Sequence, residues 1–314
     1  MLPTLPIANT DLTVSTIGLG TGAWGSAETI GESTAICEAY LAAGGNLFDS
    51  AHCYAFWRPN GDGQSERTLG EVIRRFNVRE RVVICTKGGH CDTGEAYPRP
   101  RQCLRRDLIR SDVEESLDRL RFDSIDLYFL HRDDGITSIE EIMTTLNELI
   151  DEGKIRCIGA SNWSTRRIDE AAAYARAHGM KGFCASQVQW SLATPTWAVT
   201  EDPTMRHLTS EDRKWHAQTQ LPVTPYSSTS GGFFSGRNSK TFDTPKNNER
   251  RERARALSQS IGCTPTQVAL AWLMHQPFPV IPLTSTRSLD HLRETLGSAE
   301  VRLTKEQVKE MEGV

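Results

Sequence analysis

Short apolar segments alternate with amphipathic stretches almost from one end of this chain to the other, and that alternation constrains the fold more than any other feature. Strands that alternate with helices are the mark of βαβ units and a parallel sheet, and strands covered on both faces read as near-continuous apolar runs. The strand candidates are residues 14–20 (VSTIGLG), 46–51 (NLFDSA), 81–87 (RVVICTK), 124–131 (SIDLYFLH), 155–161 (IRCIGAS), 184–190 (CASQVQW), 222–228 (PVTPYSS) and 280–285 (VIPLTS), eight in all. Helical patterns fill the gaps at 29–43, 65–75, 107–121, 138–151, 166–178, roughly 205–219, 247–260 and 288–298. Ser138 followed by Glu141 has capping-box spacing, and Thr264-Pro265 with Gln267 opens an extra helix before the last strand. Eight strands each followed by a helix predict a closed (β/α)8 TIM barrel, a single α/β domain over residues 1–314. An open doubly wound sheet normally uses fewer strands, and GLGTGAWG after the first strand, read as lacking the G-x-G-x-x-G spacing and a ribose-binding acidic residue, is set aside as a dinucleotide-binding turn.

A net charge of -4, with both signs spread along 314 residues, leaves no basic stripe to neutralise a phosphate backbone, so no nucleic-acid partner is expected. The first residues, MLPTLPIANTDLTV, hold no basic segment followed by an apolar core, and no apolar run approaches the ~18 residues of a membrane span. The expectation is a soluble, cytoplasmic protein with no membrane partner; self-association is left open. Eight cysteines occur without a CxxC pair, and Cys85, Cys157 and Cys184 fall inside apolar runs, so reduced core thiols are expected. The neighbours His52-Cys53 and His90-Cys91 invite a zinc reading, but their spacing matches no usual ligand frame and no metal is expected.

Polar residues gather where the strands stop: Asp49, Ser50 and His52 after the second, Lys87 after the third, His131 after the fourth, Ser161 and Asn162 after the fifth, Gln187 on the sixth. One histidine or lysine closing a strand is usually structural. Several at the same rim of one barrel mark the end where such folds carry their active sites. Trp24, Phe56, Trp57, Trp163 and Trp190 lie on or beside that rim and predict an aromatic pocket. The long connections 88–106 and 229–246 also follow strand ends and are candidate substrate or cofactor loops.

Here the residues carry a family resemblance. FDSAHCY resembles the aldo-keto reductase segment in which a strand-end aspartate precedes a catalytic tyrosine by five residues, and VVICTK and DLYFLH resemble that family's lysine and histidine strands. GKIRCIGASN, SQVQWSL, PYSSTSGGFFSGR and PLTSTRSLDHLRETLGSAEVRLT follow in the family's order, so the likeness covers nearly the whole chain. It implies NADPH-dependent reduction of an aldehyde, including sugar-derived or polar ones, with Tyr54 as general acid, Lys87 and Asp49 as its activating pair and His131 as orienter of the carbonyl. A free tyrosine, with a pKa near ~10, exchanges protons poorly at neutral pH, and an ammonium beside it is expected to lower that pKa.

The resemblance also implies that Ser161, Asn162 and Gln187 meet the nicotinamide carboxamide, Tyr226 stacks on its ring, and the loop from Ser227 to Gly236 lies along the pyrophosphate. Arg287 and Ser288 would hold a 2′-phosphate, which favours NADPH/NADP+ over NADH. Gly22, Trp24, Asp49, Ser228, Gly231, Arg237, Ser285 and His291 complete the implied cofactor contacts. Trp24, Phe56, Trp57, His131 and Trp163 form the implied substrate pocket. Thr295 stands where the family often has asparagine, and Ala55 where glycine commonly follows the tyrosine. The inserted FWRPNGDGQ, residues 56–64, lengthens the loop over the substrate side. Arg58, Arg99, Arg101 and Arg132 lie on or near rim loops and suit an anionic or polyhydroxylated substrate. Two other readings stand beside this one: an NADP-dependent sugar or polyol dehydrogenase running the reverse reaction, and a nucleotide-sensing regulatory subunit. Aldehyde turnover that disappears on replacing Tyr54 separates the enzymes from the subunit.

Overall fold

The apolar runs become parallel strands because helices cover them outside and side chains fill the barrel inside. In the computed structural model, which describes residues 1–25, 30–58, 61–91, 97–196 and 204–313, the chain opens with an antiparallel hairpin of β1 (Thr4–Pro6) and β2 (Thr13–Ser15). It continues through β3 (Gly18–Gly20), β4 (Leu47–Asp49), β5 (Val83–Gly88), β6 (Ile125–Leu130), β7 (Ile155–Ser161), β8 (Ser186–Gln187) and β9 (Leu283–Thr284). These seven form one parallel sheet in the order β8-β7-β6-β5-β4-β3-β9. The eighth stave is the segment around Val223, which bridges Ser186 on one side and Val280 on the other. Thr224 N donates to Ser186 O at 2.8 Å, and Leu283 N to Pro225 O at 3.0 Å, which closes the barrel. Pro222 and Pro225 have no N–H to give the ladder, so the predicted strand 222–228 is reduced to isolated bridges.

The helices are α1 (Ile30–Ala42), α2 (Gln64–Phe76), α3 (Arg106–Leu120), α4 (Ile139–Asp151), α5 (Thr165–Ala177), α6 (Ser210–Thr219), α7 (Pro245–Ile261), α8 (Pro265–Met274), α9 (Leu289–Gly297) and α10 (Lys305–Glu312). Ser138 caps α4 by accepting from Glu141 N, and Thr264 with Gln267 forms a full capping box on α8, the extra helix the sequence predicts. Among the described residues, no helix is long and apolar enough to cross a membrane.

Three sequence expectations change. The first predicted strand, 14–20, is two: Val14 belongs to the hairpin, and only Gly18–Gly20 enters the barrel. The hairpin's Ile7, Leu12 and Val14 pack with Leu47, Val83 and Leu283, near the strand starts, and so plug the end opposite the rim. α10 lies beyond the predicted helices, although Thr304 and Gln307 form a capping box there. Among the cysteines, Cys91 and Cys103 are joined in a disulfide, with Cα atoms 5.1 Å apart; the reduced-thiol reading holds for Cys37, Cys53, Cys85, Cys157, Cys184 and Cys263. No short spacing marks this pair. The path of the loop after β5 brings the two together. Thr29 of the first predicted helix, Pro59 and Asn60 of the insertion, and residues 92–96 of the loop 88–106 lie outside the described residues.

Residues 20–25 do hold the spacing G-x-G-x-x-G, so spacing alone does not dismiss a dinucleotide turn there; the closed sheet does. Gly22 has a different task, because a Cβ there would lie 3.3 Å from the Tyr54 ring. After β4 the chain coils tightly: Tyr54 N donates to Ala51 O at 3.0 Å and Arg58 N to Ala55 O at 2.9 Å. Ala55 sits in this coil at φ 73°, a left-handed conformation that an L residue adopts only with strain, and Gly61 packs so closely that a Cβ would lie 2.0 Å from Ala55 O. The glycine implied by the family resemblance is thus required by conformation, and alanine occupies its place. The strain costs roughly 1–2 kcal/mol, against about 0.8 kcal/mol for the buried methyl. Ala55→Gly is therefore expected to raise the unfolding free energy by up to about 1 kcal/mol in urea titrations; a clear loss would mean that methyl packing outweighs the strain.

Candidate active site

Parallel register carries Asp49, Lys87, His131, Ser161 and Gln187 to one rim. Asp49 pairs with Cys85 on β5, Lys87 with Phe129 on β6, and Ser161 with Gln187 on β8. Lys87 and Asp49 are almost completely buried. The ammonium has three protons and places them all: Nζ donates to Asp49 Oδ1 at 2.7 Å, to Ser50 O at 2.6 Å and to the Tyr54 hydroxyl at 3.2 Å. Gln187 Nε2 donates to the other carboxylate oxygen of Asp49 at 2.9 Å, which fixes the acid from both sides. Because the Tyr54 oxygen accepts from Lys87, its own proton is free to point into the cavity in front of it.

Burial on its own pulls the Lys87 ammonium down, but Asp49 and Tyr54 facing it more than offset this and hold it raised. The Tyr54 phenol departs from expectation. Burial pushes it up, Lys87 pulls it back down, and the balance stays above the ordinary tyrosine value. The lowering inferred from the sequence is present but outweighed, because the same barrel mouth that brings Lys87 close also removes water. His131 is held well below the usual imidazole value by burial and then by His90, Arg132 and Lys87, so it is a neutral ring. Its Nδ1 meets Cys53 Sγ at 3.5 Å, and its ring stands edge-on to Tyr54 with centroids 5.8 Å apart. Burial pushes the Cys53 thiol up to about 12.

A cavity of about 190 Å³ opens between these groups, walled by Tyr54, Phe56, Trp57, His131, Ser161, Gln187 and Tyr226. Phe56 and Trp57 stand where the sequence suggests, with Trp57 half exposed at the mouth. Trp24 and Trp163 do not reach it. Trp24 packs edge-on against Phe48 in the core, and Trp163 donates from Nε1 to Arg132 O at 3.1 Å and packs on Phe183. Trp190 likewise belongs to the core, between Trp272 and Phe278. Of the four arginines, Arg132 lines the cavity, Arg99 is tied to Asp112 at 2.6 Å, and Arg58 and Arg101 are exposed. Sequence reasoning missed Met205, which has no local signal, and missed His90 as a cavity wall. His90 stands three residues beyond Lys87 and faces His131 at 4.7 Å between ring centroids.

A second cavity, of about 550 Å³, lies on the other side of the segment 226–237 and brings together Gly231, Arg237, Ser285, Arg287 and His291. Ser227 at φ 55° and Ser228, whose hydroxyl donates to Pro225 O at 2.8 Å, turn the chain towards it without lining it. Ser288 caps α9, Thr295 is turned onto the backbone of its own helix, and Glu294 is held against the wall by a 2.7 Å bond from Thr264. Thr229, Gly232, Ser235 and Thr286 are further lining residues that sequence reasoning did not single out. Asn162, at φ 59°, has its amide engaged: Oδ1 accepts from the Tyr226 hydroxyl at 2.9 Å and from Arg206 N, and Nδ2 donates to His131 O. It holds Tyr226 in place. A larger cavity, about 1000 Å³, lies at the hairpin end among Asn9, Arg156, Cys157 and Lys181. The site is assigned by the chemistry of its residues rather than by volume.

A tyrosine hydroxyl bonded to a buried lysine, itself paired with a buried aspartate, stands at the C-terminal rim of a parallel (β/α)8 barrel. Comparison with known proteins agrees. The model of the aldo/keto reductase family matches residues 16–314. A probable aldo-keto reductase 1 of Glycine max is 29% identical over 95% of this chain and 84% of its own. Aldo-keto reductase str7 of Strobilurus tenacellus is 28% identical over 98% of this chain and 90% of its own. The crystal structure of the thermostable aldo-keto reductase Tm1743 with the inhibitor epalrestat shares the fold, with a TM-score of 0.75 over 99% of each chain at 22% identity. The chain belongs to the aldo/keto reductase family.

The state of His131 can be measured directly. Because the fold favours its neutral form, its contribution to stability is complete above the ordinary histidine value of ~6.5 and is lost as pH falls below it. Imidazole NMR resonances of His131, identified by their absence in His131→Gln, are expected to stay in the neutral pattern through pH 6.5 and below. Protonation at an ordinary value would show that burial does not govern this ring.

Proposed function

We propose that this chain reduces a small aldehyde to its alcohol with NADPH, Tyr54 giving the proton and His131 orienting the carbonyl oxygen. The observation that carries this reading is the three-way placement of the Lys87 ammonium, which anchors Tyr54 to Asp49 beside an open cavity. The nicotinamide, when bound, supplies hydride. As negative charge develops on the carbonyl oxygen, Tyr54 transfers its proton there, and Lys87 at 3.2 Å stabilises the phenolate left behind. The neutral His131 donates a hydrogen bond to the same oxygen without competing as an acid. The cavity near 190 Å³ would be shared by the nicotinamide ring and the carbonyl end of the substrate, which suits a small aldehyde. Arg132 on its wall favours polar, sugar-derived or anionic aldehydes.

The donor set of the second cavity suits a phosphorylated dinucleotide. Arg237, Arg287 and His291 border it beside the Ser288-capped start of α9, and cationic forks and helix N-termini favour phosphate. Gly231 has open space where its Cβ would be, which allows close backbone approach. Ser161, Gln187 and Tyr226, in the first cavity, would meet the nicotinamide end, with Asn162 holding Tyr226.

Two measurements test this. Tyr54→Phe is expected to bind NADPH as the parent chain does, by protein-fluorescence titration, while NADPH consumption with any aldehyde of a panel falls by at least about 10²-fold, the usual contribution of a positioned acid. Near-parental turnover would place the acid elsewhere. Arg287→Ala is expected to weaken NADPH binding about tenfold or more, since a bond to a charged group contributes roughly 1.5–3 kcal/mol, and to leave NADH nearly unchanged. Equal losses for both cofactors would make Arg287 structural and put the 2′-phosphate elsewhere.

A further inference from the structure

Three metal-ligating side chains converge at the carbonyl cavity from three adjacent strand ends. Cys53 comes from the coil after β4, His90 from the loop after β5 and His131 from the end of β6. All three are buried, and one ligand atom from each lies within 4.8 Å of the others. The pair expected to be suggestive in the sequence is split by the fold: His52 turns away to Tyr97 and Glu115, and Cys91 is bonded to Cys103. We propose that Cys53, His90 and His131 form a three-ligand site for a soft divalent cation such as Zn²⁺, with its fourth position open to the carbonyl cavity.

One edge of the ligand triangle has the length tetrahedral zinc requires. Zn–S near ~2.3 Å and Zn–N near ~2.05 Å place a thiolate and an imidazole nitrogen about 3.6 Å apart along one edge of the tetrahedron. Cys53 Sγ and His131 Nδ1 are 3.5 Å apart. His90 Nδ1 meets Cys91 O at 2.7 Å; with Nδ1 as the donor, the metal would take Nε2 in exchange for the ring's other contact. A backbone carbonyl accepting from the far nitrogen is the usual outer partner of a metal-bound histidine. Here that carbonyl belongs to a residue pinned by a disulfide. One thiolate and two imidazoles suit Zn²⁺ or Co²⁺ rather than Mg²⁺ or Ca²⁺. As the S–Zn bond forms, the Cys53 thiol gives its proton to solvent, and no oxidant or reductant is needed. Arg132 on the same wall opposes a cation, whereas the charge of Lys87 is matched by Asp49. Three ligands plus an open position resemble a catalytic rather than a structural zinc site, but the nitrogen the metal takes belongs to the ring that the proposed reaction needs. Occupancy therefore blocks the carbonyl cavity and leaves the second cavity open, a consequence that rests on the function proposed above.

The test begins without turnover. The chelator-treated chain, titrated with Co²⁺, is expected to bind one equivalent with a thiolate-to-cobalt charge-transfer band, and Zn²⁺ to displace it. Cys53→Ser is expected to abolish the band, and His90→Gln to weaken Zn²⁺ binding at least tenfold in calorimetry. Melting curves for both variants establish that they are folded, and either one suffices if the other is not. Cys37→Ser, Cys157→Ser and Cys263→Ser are expected to keep the band. No band in the parent chain, a band retained by folded Cys53→Ser, or a band lost in any of the three controls instead overturns the site. Inhibition of aldehyde reduction by Zn²⁺, reversed by EDTA and with NADPH affinity unchanged, would support the blocking role. Stoichiometric metal binding without inhibition would support the site and overturn that role.

Discussion

A buried ammonium facing a buried carboxylate across 2.7 Å governs the upper half of this barrel. Two charges out of water are tolerable only when each is fully hydrogen-bonded, and removing one partner of such a pair costs on the order of 3–5 kcal/mol. The surroundings meet that demand. Ser50 O and Tyr54 take the remaining Lys87 protons, and Gln187 satisfies the second oxygen of Asp49. The tie between β4 and β5 therefore reaches the coil after β4 and, through Gln187, β8 on the far side of the mouth. Tyr54 is positioned as one corner of an ion pair's solvation shell, which is why a flexible phenol can serve at a fixed point.

Around this tie the rim divides its work. The coil after β4 and the loop after β5 build the carbonyl side, where Tyr54, Phe56, Trp57 and His90 meet His131. The segment after Val223 and the start of α9 build the other side, with its arginines and glycines. Tyr226 stands at the junction, held by Asn162, whose left-handed backbone turns its amide inward. A polar network centred on His52 borders the carbonyl side. Arg119 donates to His52 O at 2.9 Å, and Arg99 joins Tyr97 to Asp112. Their charges, which look available in the sequence, are spent on packing the helices against the strands.

The strands were legible because burial on both faces leaves short, mostly apolar runs between amphipathic stretches, as in the fully buried Ile125–Leu130. Asp49, Lys87 and His131 were legible because each closes such a run, so that parallel register alone brings them level. The aromatics were harder. Trp24 and Trp163 lie as near to strand ends as Trp57 does, yet both are buried in the core, because an indole satisfies the same hydrophobic demand on either side of a rim. The split of residues 14–20 into hairpin and barrel strand was hidden for a similar reason: Val14 is apolar in both settings, and only its pairing with Leu5 distinguishes them.

By itself the sequence determined the number and order of the eight barrel staves, the helices between them, and the identity of the groups gathered at one rim, since these follow from local periodicity and from which residue ends each run. Tertiary structure decided what depends on distance across the barrel. It set the balance between burial and Lys87 at the Tyr54 phenol, the joining of Cys91 to Cys103, and the meeting of Cys53, His90 and His131 on three separate strand ends. A pKa and a ligand set depend on separations of a few ångströms between groups far apart in the chain. Residue order fixes which groups are present, and only the closed sheet fixes those separations.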